Sequence, residues 1–82
     1  MMSEIKSHLD EELKGVADYF SLYFEYMNSD ISKDFYKFAL DELEHVEFWL
    51  DMLEVDGDDE YEYYKEQYDE LKSLMKEGEK DD

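Results

Sequence analysis

Glu42 and His45 stand three residues apart in the stretch FALDELEHVEFWLDML, residues 38–53. On a helix their side chains lie one turn apart on the same face. Carboxylate oxygen with imidazole nitrogen is a donor set that suits iron, manganese or zinc. The same pair also suits a partly buried histidine held by a carboxylate, with no metal involved. Spacing alone favours that plainer reading: 14 of the 82 residues are glutamate, so one falls three before a given histidine about one time in six. The surroundings favour the metal. The core stripe of this helix is expected to follow 31, 35, 38, 42, 45, 49 and 52, a row otherwise held by Ile, Phe, Trp and Met. An ionised glutamate in an apolar row is costly unless it is paired or binds metal. The chain has no arginine, and Lys6 and Lys14 point off the apolar face of the helix before it.

Glu12 plays the same part in that first helix. It lies in the row Ile5, Leu9, Glu12, Val16, Tyr19, Tyr23, again a carboxylate on an apolar seam. At a rise of ~1.5 Å per residue, Glu12 is ~24 Å before the turn and His45 ~21 Å after it, with Glu42 roughly one turn nearer the turn. The three groups therefore stand at about the same height on two antiparallel helices. Glu25 is only ~5 Å from the turn on the same measure and fails the test.

The elements that must position these residues are helical. There is no proline, and apolar positions recur at three- and four-residue steps nearly throughout. The first helix is expected over about 3–27, with Ser3 as its N-cap. Gly15 in its middle costs roughly 1 kcal/mol relative to alanine and is read as room for close approach of another helix. Asn28, Ser29 and Asp30 form a short polar break, with Ser29 or Asp30 capping a second helix over about 31–55. So brief a connection makes an antiparallel hairpin. Gly57 stops the second helix, and Asp59 with Glu62 starts a third over about 59–76. Residues 77–82 read as a polar tail. Ile31, Phe35, Phe38/Ala39, Leu43, Val46, Leu50 and Leu53 also make one stripe on the second helix, and Phe48, Trp49 and Met52 widen it beyond what one hairpin covers.

Two glutamates and one histidine are too few ligands for an enclosed site. Doubling them gives four glutamates and two histidines, the ligand set of a di-iron or di-manganese carboxylate centre in a four-helix bundle. The expected fold is thus all-α: a helical hairpin with a short third helix, pairing with a second copy as a homodimer. The same pairing, or a larger even-numbered oligomer, would cover the surplus apolar surface.

These residues carry a resemblance to the ferritin-like superfamily in its half-bundle form. Glu11-Glu12-Leu13, with Tyr19 one heptad after Glu12, resembles the first-helix pattern of that superfamily. Ala39, Glu42, His45 and the following Val-x-x-Trp-Leu-x-x-Leu resemble the second-helix pattern of rubrerythrin-like chains and encapsulated ferritins. The resemblance covers about residues 9–53. It implies a ferroxidase centre at a dimer interface, with Glu12, Glu42 and His45 as iron ligands and the residues that carry oxidation. It further implies Tyr19 as a neighbour of the ligands, Glu11 as a carboxylate on the path of incoming metal, and a protein shell as partner. Lys14 departs from the pattern, standing where another acidic residue belongs. The tail GEKDD has no apolar targeting peptide.

Composition bounds the rest. Twenty-six acidic residues against eight lysines give a net charge of −18. That excludes binding nucleic acid or an anionic membrane through a basic surface. It fits the recruitment of cations, and it also fits a reading from another class: an acidic interaction module, a phage-type inhibitor or nucleic-acid mimic docking on a basic protein. Eight tyrosines, five phenylalanines and one tryptophan argue against a disordered acidic tail. There is no cysteine, which fits a reducing cytoplasm. The acidic N-terminal stretch lacks the basic start and apolar run of a signal peptide, and no segment reads as a membrane span. His8, followed by Glu11 and Glu12, reads as a surface histidine on an acidic face. Residues 56–60, DGDDE, fail as a calcium loop, because aligning Gly57 with the loop glycine puts Met52 and Tyr63 in the outer ligand positions.

Overall fold

The computed structural model describes residues 2–80, and every regular element among them is α-helical: α1 (Met2–Glu25), α2 (Ser32–Asp56) and α3 (Tyr61–Lys80). α1 and α2 form the antiparallel hairpin. The facing stripes are Ile5, Leu9, Leu13, Val16, Phe20 and Tyr23 from α1, and Ala39, Leu43, Val46, Leu50 and Leu53 from α2, all buried. Leu9, Val16, Ala39, Val46 and Leu53 have no exposed surface at all. Burial of each such leucine or valine is worth roughly 1.5–3 kcal/mol before chain entropy is subtracted.

The helix ends differ from expectation in ways local chemistry explains. α1 includes residues 2 and 3, so Ser3 lies inside the helix rather than capping it. Ile31 occupies the N-cap of α2 and has no side-chain capping bond. Ser29 Oγ instead accepts the Ile31 N–H at 3.4 Å, which shapes the turn just outside the helix. Gly57 ends α2 as expected, at φ 70° and ψ 32°. Its N–H reaches the Glu54 carbonyl at 3.1 Å, and the Asp58 N–H reaches that of Leu53 at 3.1 Å. This paired arrangement satisfies two orphan carbonyls at the helix end and needs the left-handed conformation glycine tolerates.

Asp58, not Asp59, organises the start of α3. Its Oδ1 accepts the Glu60 N–H at 2.8 Å, and Lys6 of α1 pairs with Asp58 and Glu60 at 3.1 Å each. The Glu60 N–H and then Lys6 hold the Asp58 carboxyl below its ordinary value. α3 continues to Lys80, past the expected end at residue 76. The remainder of the expected tail, residues 81 and 82, lies outside the described residues.

α3 covers one side of the hairpin. Tyr64, Tyr68 and Met75 are buried, and Tyr61 and Leu71 pack against the core. The Tyr68 hydroxyl donates to Glu47 Oε2 on α2 at 3.2 Å. Tyr64 sits with Asp10 of α1. Leu13 and Ala17 of α1 share a groove with Leu71 and Leu74 of α3. Among the described residues, no third helix packs on the opposite side of the hairpin, and Glu12, Glu42 and His45 are there.

Candidate metal centre

α1 presents Glu12, Gly15 and Tyr19 along one edge at helical spacing, and α2 presents Phe38, Glu42, His45 and Trp49 opposite them. The core stripes to one side fix the rotation of both helices, because rotating either one to bury these residues would expose leucines. The result brings all three expected ligands together. His45 Nδ1 is 3.5 Å from Glu12 Oε1 and 4.0 Å from Glu42 Oε1. One donor atom from each of the three lies within 4.8 Å of the others.

The cluster is graded in exposure: the Glu12 side chain is 20 % exposed, Glu42 29 % and His45 58 %. This corrects one expectation. The row 31, 35, 38, 42, 45, 49, 52 is not the core of this chain. The core follows 39, 43, 46, 50 and 53, and the heptad series Ile31, Phe38, His45, Met52 lies outside it. Phe38 is 45 % exposed and Phe48 59 %.

Burial pushes the Glu12 carboxyl above its ordinary value, and the Glu42 charge adds to the push. His45 opposes it most, with smaller help from the Trp49 indole and His8. Glu12 Oε2 is buried with no hydrogen-bond partner, a state that costs about 1–3 kcal/mol for a neutral group and more for a charged one. Among the described residues, the lysine ion pairs are those of Lys6, Lys14 and Lys65, and none reaches Glu12 or Glu42. A buried, orphaned carboxylate oxygen beside a second carboxylate and an imidazole fits a divalent cation. Glu12, Glu42 and His45 would hold it, two carboxylates offsetting its charge and one imidazole adding a nitrogen donor.

Glu11 is exposed and is not part of the cluster. Tyr19 is half-buried and packs its ring on Phe38, with centroids 5.4 Å apart. His8, expected as a surface residue, is exposed but stacks flat on Trp49, with centroids 4.9 Å apart and planes within 6°. This contact was not anticipated. His8 lies one turn before Glu12 and Trp49 one turn after His45, so the same height rule applied to them would have found it. Gly15 was expected to admit another helix, but it faces the Glu42 carboxylate instead.

Among the described residues, no helix is long and apolar enough to cross a membrane. Comparison with protein-family models, curated protein sequences and solved structures yields no significant match.

Proposed function

We propose that this chain is a ferritin-like, di-iron carboxylate protein that takes ferrous iron as substrate and promotes its oxidation for storage or detoxification. Its metal centre is completed by a second copy of the chain. The observation that carries the reading is the convergence of Glu12, Glu42 and His45, two carboxylates that no lysine reaches among the described residues, on the uncovered side of the hairpin. Manganese or zinc would meet the same donors.

Three ligands per chain leave a cation incompletely coordinated. Two copies related by a two-fold axis supply four glutamates and two histidines. The exposed series Ile31, Phe38, His45, Met52, with Phe48 beside it, provides an apolar frame for that pairing. Once covered, the site would lose water, and charge interactions inside it would strengthen. Bound iron would supply the one-electron chemistry, with oxygen or peroxide as acceptor. Glu12 and Glu42 would balance the metal charge, and His45 would complete each side. The net charge of −18 would raise the local concentration of cations around the molecule. The cytoplasm, free or within a protein shell, is the setting that fits a cysteine-free chain.

The rival reading, an acidic module on a basic protein, rests on net charge and does not need these side chains to meet. Variants separate the two. Glu42→Ala and His45→Ala are expected to abolish iron oxidation, followed by ferric absorbance, while circular dichroism shows helicity retained. Unchanged oxidation in both variants would sink the proposal.

A further inference from the structure

We propose that Gly15 is a positioning residue for the metal centre: the missing side chain at position 15 is the seat of the Glu42 carboxylate. This rests on the metal-centre reading above and assigns how one of its ligands is held. Gly15 lies inside α1, three residues after Glu12 and on the same face. Its backbone is ordinary right-handed helix; the glycine with positive φ is Gly57. The conformational freedom of glycine is therefore unused at position 15, where alanine would favour the helix more.

What position 15 supplies is space. A β-carbon there would lie 3.3 Å from Glu42 Oε2 and 3.7 Å from its Cδ and Cγ, and these are its three nearest neighbours. The nearest contacts across the notch thus all come from one side chain, and it belongs to a ligand. The carboxylate of Glu42 rests against the α1 backbone one turn from Glu12, while its other oxygen faces His45 at 4.0 Å. The helix of one ligand thereby sets the height and depth of another.

A methyl group at 15 would ask Glu42 to move by a few tenths of an ångström. In the metal-free chain that movement is easy, because the displaced atoms are the end of a flexible, partly exposed side chain. With a cation held jointly by Glu12, Glu42 and His45 it is not, because the carboxylate is then fixed from both sides. Groups that orient metal ligands typically change affinity by roughly 10–100-fold when altered. Stability and affinity should consequently move in opposite directions, which a merely structural glycine would not produce.

The test uses the full chain, wild type and Gly15→Ala, with Co2+ followed by visible absorption and Fe2+ titrated without oxygen. The expected result is a metal-free thermal midpoint equal to or above wild type, a Kd for Co2+ raised roughly tenfold or more, and an altered ligand-field band. In a Glu42→Asp background, whose shorter side chain withdraws from the notch, the same substitution is expected to change the Kd much less. A Gly15→Ala protein that binds like wild type, while Glu42→Gln does not bind, overturns this inference and leaves the metal centre standing. Loss of affinity together with a lowered midpoint, or equal effects in both backgrounds, overturns it as well. A wild-type protein that takes up neither ion refutes the metal centre, and this inference with it.

Discussion

Replacing Glu12 by glutamine should stabilise the metal-free protein and at the same time remove its response to metal. Glu12 and Glu42 offer donor atoms within 4.8 Å of each other. At an effective dielectric of about 20, two unit charges at that separation repel by about 3.5 kcal/mol. Solvent reaches Glu42, whose side chain is 29 % exposed, and screens that repulsion; His45 offsets it further, so the larger cost that glutamine removes is the burial of the Glu12 charge. Glutamine keeps the shape and removes the charge. A net gain of roughly 1 kcal/mol corresponds to a rise in thermal midpoint of about 4–8 °C for a domain of this size.

The pH dependence has a definite sign. The folded-state Glu12 carboxyl is raised above its ordinary value of 4.5. Its protonated form therefore favours the folded state. That contribution is fully present below pH 4.5 and is lost as pH rises through the folded-state value. The advantage of Glu12→Gln should be largest near neutral pH and vanish as the wild-type carboxyl becomes protonated. Adding Zn2+ or Fe2+ should reverse the order. A cation at a hundred times its Kd stabilises the wild type by about 2.7 kcal/mol, and a variant that cannot bind gains nothing. The assay is thermal unfolding by circular dichroism, with chelator and with metal, across acid to neutral pH. A Glu12→Gln protein less stable than wild type in chelator, or equally stabilised by metal, refutes the reasoning.

Burial pushes the hydroxyls of Tyr64 and Tyr68 up to about 12. Their neutral forms favour the fold, so stability should be lost as pH rises from about 10 towards about 12. Far-ultraviolet circular dichroism during alkaline titration should show this loss, and Tyr64→Phe with Tyr68→Phe should shift the transition to higher pH. Phe38→Asp places a charge in the exposed series beside the cluster. It should lower the native mass towards a monomer and abolish iron oxidation while helicity remains; a variant that keeps both mass and activity speaks against the pairing face.

The hairpin and the meeting of Glu12 with Glu42 and His45 were legible because helical rise is constant: counting residues from a short turn gives height directly. The same count placed Glu25 far from the cluster. Rotation was harder to read. α2 carries two adjacent apolar stripes, and periodicity does not say which faces α1, so the row through Phe38 and His45 reads as core as readily as the one through Leu43 and Val46. The side covered by α3 was equally illegible, because it depends on Lys6 meeting Asp58 and Glu60 and on Tyr68 reaching Glu47, contacts between residues far apart in the chain. Gly15 shows the same limit at one residue: a helical glycine announces that space is needed without naming the occupant. Capping signals were offset by a residue or lost because several capping-competent polar residues stand together in each turn, and the backbone selects among them.

The most direct measurement is native mass spectrometry of protein produced in iron-supplemented medium, paired with elemental analysis of the same sample. The account predicts an even-numbered oligomer carrying about one iron per chain, with iron lost in His45→Ala. A metal-free monomer whose Glu42 and His45 can be replaced without consequence would contradict it.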